Sequence, residues 1–87
     1  MPFVYILRCA DGLYYVGKTD NLGARLTEHQ SGVGADYTAA RRPVEMVYAE
    51  EHSTVQGAKN REVQLKRWSR GKKEALIAQD LKRLRHL

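Results

Sequence analysis

Residues 3–18 constrain this chain more than any other stretch. Phe3–Cys9 (FVYILRC) is rich in β-branched and aromatic residues, and both of its alternating faces are largely apolar. Ala10-Asp11-Gly12 follows, and then Leu13–Lys18 (LYYVGK). A strand, a three-residue turn with a glycine free to take positive φ, and a returning strand make a β-hairpin. Phe3, Tyr5, Leu7 and Cys9 share one face of the first strand, with Val4, Ile6 and Arg8 on the other. A three-residue loop sets Tyr5 opposite Gly17 and Leu7 opposite Tyr15. Tyr5 and Tyr15 then become diagonal neighbours on one face. Gly17 leaves that face open beside Tyr5, room for something bulky to approach the backbone.

The hairpin cannot bury both faces alone, so the rest of the chain must cover it. Asp20 or Asn21 caps a short helix to about Gln30, with Leu22 and Leu26 as its apolar pair and Arg25 and His29 on a neighbouring stripe. Gly32, Gly34 and their small neighbours read as a loop. Pro43 opens a third strand, Val44–Glu50. A helix follows from about Thr54, capped by Ser53 or Thr54, to Trp68. Ser69-Arg70-Gly71 reads as a break. A last amphipathic helix runs from about Lys72 to Leu87, with Leu76, Ile77, Leu81 and Leu84 as its stripe and Lys72, Lys73, Lys82, Arg83 and Arg85 around it. The order ββαβαα describes an α+β fold, a three-stranded antiparallel sheet flanked by helices. At 87 residues the expectation is a single domain, 1–87.

Charge is unevenly spread. Residues 1–58 hold five basic and seven acidic residues, a net of −2, whereas 59–87 hold ten basic and three acidic, a net of +7. A basic C-terminal third is either a solvated helix face or a surface for a polyanion. The longest apolar run, Phe3–Leu7, is too short for a membrane span or a signal peptide core. The single cysteine, Cys9, excludes an internal disulfide framework and a multi-cysteine zinc site, and suits a reducing cytoplasm. No Walker loop or dinucleotide fingerprint is present.

Three residues stand out chemically. Glu62 flanks the apolar stripe of the helix at 54–68. It is either a salt-bridge partner of Lys59, Lys66 or an arginine, or a ligand for a hard cation such as Mg²⁺, which needs only one or two carboxylates. Arg25 and His29 are each ordinary surface residues taken singly. Together, beside a two-tyrosine sheet face, they supply a phosphate-binding fork and a group that titrates near neutrality. Tyr14 has the opposite parity to Tyr15 and reads as structural, and Cys9 as a small core residue.

Phe3-Val4-Tyr5, then Tyr15-Val16-Gly17, Arg25, His29 and Glu62, in that order and spacing, resemble the GIY-YIG nuclease superfamily. Lys18, Thr19 and Gly34-Ala35-x-Tyr37-Thr38 resemble its small single-domain bacterial members, related to the N-terminal nuclease domain of a bacterial excinuclease. The likeness spans about residues 3–77. The first tripeptide departs from Gly-Ile-Tyr at two positions; residues 63–87 hold no asparagine, and Asp36 stands where small members often carry lysine.

The resemblance implies metal-dependent hydrolysis of a DNA phosphodiester, in repair or recombination. Tyr15 would activate the attacking water, directly or as phenolate, with Lys18 lowering its pKa. Tyr5 would orient the water or the phosphate, and Arg25 would stabilise transition-state charge. His29 would act as proton carrier or orienter. Glu62 would hold one Mg²⁺ or Mn²⁺. The basic Lys66, Arg67, Arg70, Lys72 and Lys73 form the expected DNA-binding surface. A protein partner would supply target specificity. The rival readings are a catalytically inactive nucleic-acid-binding module and an interaction subunit of a repair assembly.

Overall fold

A computed structural model describes the backbone of residues 1–85 and the side chains of residues 1–79. The elements are β1 (Phe3–Arg8), β2 (Tyr14–Thr19), α1 (Leu22–Ser31), α2 (Asp36–Ala39), β3 (Glu45–Glu51), α3 (Val55–Lys66) and α4 (Arg70–Arg85). The sheet is three-stranded in the order β2-β1-β3, and both pairings are antiparallel. The fold is α+β, as the hairpin and the helical periodicities imply.

The apolar character of β1 on both faces has a direct cause. It is the central strand, and helices cover the sheet on each side. Val4, Ile6 and Val16 pack with Ala58 and Leu65 of α3, backed by Trp68 and by Leu76 and Ile77 of α4. On the opposite face Tyr5, Leu7, Cys9 and Val44 pack with Tyr15, Met46, and Leu22 and Leu26 of α1. Leu81 and Leu84 of the expected α4 stripe, and Lys82, Arg83 and Arg85 beside it, lie outside the described side chains.

The hairpin has the expected register. Tyr5 pairs with Gly17 and Leu7 with Tyr15. Gly12 takes φ 86°, and Cys9 N–H donates to Leu13 O at 2.8 Å, closing a three-residue loop. Asn21 caps α1 by accepting from Ala24 N–H at 3.0 Å, and Gly32 ends it at φ 91°. Thr54 caps α3 by accepting from Gly57 N–H at 2.9 Å.

Two expectations need correction. The segment after Gly34 is not all loop, because Asp36–Ala39 forms one helical turn, α2. The break between the last two helices falls at Arg67–Ser69, not at Ser69–Gly71. Ser69 Oγ accepts from Lys72 N–H at 3.2 Å and starts α4 at Arg70, so Gly71 sits inside the first turn. A glycine there is tolerated, since its backbone-entropy cost of about 0.5–1 kcal/mol weakens a helix without ending it.

Candidate active site

The site grows from a steric permission at Gly17. A Cβ on Gly17 would sit 2.6 Å from Tyr5 Cζ and 3.1 Å from Tyr15 Cε2. The bulky group that the glycine admits is therefore the Tyr5 side chain itself, which crosses the neighbouring strand. Tyr5 is fully buried, and its hydroxyl reaches α1. There it lies 2.8 Å from His29 Nε2 and accepts from Arg25 Nε–H at 3.4 Å. The i, i+4 spacing of Arg25 and His29 is what lets one helix present both to one oxygen.

The segment after α1 completes the cradle. Arg25 Nη2 donates to Gly34 O at 2.9 Å, and Arg25 Nη1 lies 3.4 Å from Glu28 Oε1. His29 Nδ1 lies 2.7 Å from Thr38 Oγ1, whose hydroxyl donates to Ala35 O at 3.1 Å. A Cβ on Gly34 would stand 2.6 Å from His29 Nδ1, so glycine is required for the loop to close over the imidazole. Tyr15 lies against His29 with ring centroids 5.1 Å apart, and is 6.4 Å from Tyr5 and 5.9 Å from Tyr37. Arg41 stacks on Tyr37 at 4.1 Å.

Electrostatics follow from this packing. Burial raises the Tyr5 pKa against the lowering effect of Arg25, so the phenol stays protonated. Burial, assisted by the Arg25 charge, lowers the His29 pKa and favours neutral imidazole. The bond to Tyr5 raises the Arg25 pKa.

Arg25 and Lys18 open onto one cleft of about 420 Å³ between β2, α1 and α3, lined also by Pro2, Thr19, Asp20, Glu28, Val55 and Ala58. Tyr5 and His29 are buried, so in this structure they support Arg25 and do not reach solvent. Glu62 lies one turn beyond Ala58 on the same side of α3. Its side chain is 16% exposed, pairs with Lys66 at 3.4 Å, and raises the Tyr5 pKa through its charge. Among the described residues no three His, Cys, Asp or Glu side chains cluster as a metal site. A single, largely buried carboxylate is still compatible with a hard divalent ion that keeps most of its water.

The basic residues are not equivalent. Arg70 Nη1 donates to Gly12 O at 2.6 Å, its guanidinium lies 4.9 Å from the Tyr14 ring, and Nε is 3.4 Å from Glu74. Lys72 covers the Trp68 ring at 4.6 Å. Arg67 is exposed and Lys73 partly so. Sequence reasoning did not assign roles to Glu28, Tyr37 and Thr38. Thr38 and Tyr37 belonged to a noted motif, but a loop threonine carries no signal of its own until its partner is known.

The sequence signature of the GIY-YIG catalytic domain matches residues 1–75. A UPF0213 protein of Bacillus pumilus is 48% identical over 75 residues, covering 86% of this chain and 76% of that protein. One of Natronomonas pharaonis is 45% identical over 78 residues, covering 90% and 92%. The solution NMR structure of the UPF0213 protein of Bacillus halodurans superposes with a TM-score of 0.59 at 39% identity, covering 90% of this chain and 84% of that one. A hairpin tyrosine bonded to an arginine and a histidine one helical turn apart, with a second tyrosine packed on the histidine ring, thus coincides with a signature running through both strands and α3, and the chain belongs to the GIY-YIG nuclease superfamily.

Proposed function

We propose that this protein is a metal-dependent endonuclease that hydrolyses DNA phosphodiester bonds. The observation that carries the reading is the fixed guanidinium of Arg25. Tyr5 and Gly34 O hold it at the cleft, where Lys18 adds a second cation. Donors locked before substrate arrives need no reorganisation when charge develops on a phosphate. Arg25 is therefore the group that stabilises the transition state. Tyr15, three residues before Lys18 on β2 and on the Tyr5 face of the sheet, takes the role of water activator. His29 orients Tyr5, being too buried to exchange protons with substrate.

Glu62 would hold Mg²⁺ or Mn²⁺, whose chemistry when bound is polarisation of a phosphoryl oxygen and neutralisation of the leaving oxygen. Lys66, Arg67, Arg70, Lys72 and Lys73 would meet the DNA backbone without reading its sequence. Target choice would then come from DNA shape or a protein partner, in cytoplasmic repair or recombination.

The test is nicking of branched, flapped, single-stranded and duplex DNA with and without Mg²⁺ or Mn²⁺. Tyr15→Phe should slow cleavage at least ~10²-fold with the fold intact, and Arg25→Ala by a similar or larger factor. Glu62→Gln should abolish the metal-dependent rate. DNA binding should weaken far less in all three. Binding without cutting by the wild-type protein would hand the assignment to the non-catalytic module.

A further inference from the structure

Four hydrogen bonds link Arg25 to the backbone carbonyl of Ala35 through Tyr5, His29 and Thr38. The two ends of this chain have fixed polarity. A guanidinium is donor only, and a carbonyl is acceptor only. The three groups between them can each run in either direction, so the ends decide.

From the arginine end, Tyr5 Oη must accept from Arg25 Nε–H, and its own proton has to go elsewhere. His29 Nε2, at 2.8 Å, is the acceptor in reach. It can accept only if it carries no proton. From the carbonyl end, Thr38 spends its single hydroxyl proton on Ala35 O at 3.1 Å. Its oxygen is therefore the acceptor for His29 Nδ1–H at 2.7 Å. Both ends demand the same imidazole: neutral, protonated on Nδ1, bare on Nε2. Burial of His29 and Thr38, each with no exposed surface, keeps water from substituting at either link.

We propose that Thr38 is a positioning residue, whose hydroxyl sets the His29 tautomer and thereby turns the Tyr5 oxygen into a dedicated acceptor for Arg25. With the opposite tautomer, His29 Nε2–H would compete with Arg25 for the Tyr5 oxygen, and the phenol proton would have no acceptor. Thr38 touches no substrate in this scheme. It acts through two intervening residues, His29 and Tyr5, by deciding how firmly the guanidinium is held at the cleft. The catalytic consequence rests on the nuclease reading above; the tautomer does not.

The decisive measurement is long-range ¹H–¹⁵N NMR of the imidazole nitrogens in the full chain above neutral pH, with the His29 signals assigned by their loss in His29→Gln. The expected wild-type pattern is a protonated Nδ1 and a bare Nε2. A protonated Nε2 would overturn the proposal outright. Thr38→Val keeps the shape and removes the acceptor, so the single tautomer should give way to a mixture, and Thr38→Ser should restore it. An unchanged tautomer in Thr38→Val would also overturn the proposal. Should that variant fail to fold, Thr38→Ala is read in the same way. In the cleavage assay Thr38→Val should lower kcat about 10-fold, the scale seen when an outer partner that orients an imidazole is lost. KM for DNA should not move, and Thr38→Ser should recover the rate. A wild-type protein that cuts no DNA would defeat the nuclease reading while the NMR result still decided this one.

Discussion

The two faces of the sheet solve the same packing problem in different ways. Under α3 and α4, the buried side chains Val4, Ile6, Val16, Ala58 and Leu65 are all hydrocarbon. The polar groups on that side stay at its margin, where Glu50 gathers Tyr48, His52 and Arg61 around one carboxylate. Under α1 and α2, the polar groups run through the core itself, since Tyr5, His29 and Thr38 are all fully buried. A hydrocarbon core needs only volume and tolerates conservative exchange. A buried hydrogen-bonded chain needs every member, because one missing partner leaves another unsatisfied. The first face serves stability, and the second holds a guanidinium at a chosen place.

The sharpest way to break that division is at Leu65, which is fully buried in the apolar face. Leu65→Ala should cost about 2–5 kcal/mol through lost burial and the cavity left behind. In a domain of this size each kcal/mol lowers Tm by about 4–8 °C. Cleavage per folded molecule should be preserved. A folded but inactive Leu65→Ala would show that the two faces are not separable.

The glycines give a smaller and more pointed contrast. Gly17→Ala drives a methyl into the Tyr5 ring and should cost about 1–3 kcal/mol, the usual scale of overpacking. It should also uncouple Tyr5 from Arg25, lowering activity beyond the loss of folded protein. A Cβ on Gly71 meets nothing within 4 Å. Gly71→Ala should therefore stabilise α4 by about 0.4–1 kcal/mol, by restricting the unfolded chain. Thermal melts of the two variants should move in opposite directions.

This contrast also explains what is legible in the amino-acid sequence. The apolar face announces itself by periodicity. The strand at Phe3–Leu7 is legible in its β-branched and aromatic residues and the hairpin register in loop length, while residue type narrows the caps only to Asp20 or Asn21 and to Ser53 or Thr54. The i, i+4 pair Arg25 and His29 could be placed on one stripe. Their connection to Tyr5 could not, since it depends on Gly17 letting a ring cross a strand. Thr38 was illegible for the same reason: its partner lies nine residues back, across a turn whose helix, α2, is too short to show a period. Residue type makes Gly71 read as a stop, yet the first helical turn tolerates it.

Acid should unlock the two faces at different points. On the α1 side burial, together with Arg25, lowers the His29 pKa from its ordinary 6.5. The unfolded chain then binds a proton that the folded one resists. This contribution is complete above pH 6.5 and is lost as pH falls from there through the lowered folded value. Glu28 opposes the shift, and the Tyr5 and Tyr15 rings complete the surroundings of the imidazole. On the α3 side burial pushes Glu50 up, but the bonds from Tyr48, His52 and Arg61 outweigh it, and its pKa falls below the ordinary 4.5. Its contribution persists to lower pH and is lost only beneath 4.5. Melting followed from pH 8 to 3 should show a first loss that His29→Gln removes and a second that Glu50→Gln removes. A single loss, insensitive to His29, would mean that the imidazole titrates alike in the folded and unfolded chain and that the fold does not hold it neutral.

The smallest effect concerns Lys66, the neighbour of Glu62 on α3. It pairs with Glu62 at 3.4 Å, yet its own side chain is 54% exposed. A Glu–Lys pair one helical turn apart contributes only about 0.2–0.5 kcal/mol, and salt screens it further. Lys66→Met should therefore leave Tm almost unchanged. Its value lies in two other readouts. If Glu62 holds the divalent ion, Lys66 competes for the same carboxylate, and its removal should lower the Mg²⁺ concentration for half-maximal cleavage about twofold, the affinity equivalent of that pair energy. If Lys66 also meets a phosphate, the slope of log affinity against log salt should become shallower by about 0.9. A metal requirement that stays fixed while the salt slope changes would make Lys66 a DNA contact and Glu62 a structural partner. A lowered requirement with an unchanged slope would place Glu62 at the metal and leave Lys66 as its neighbour alone.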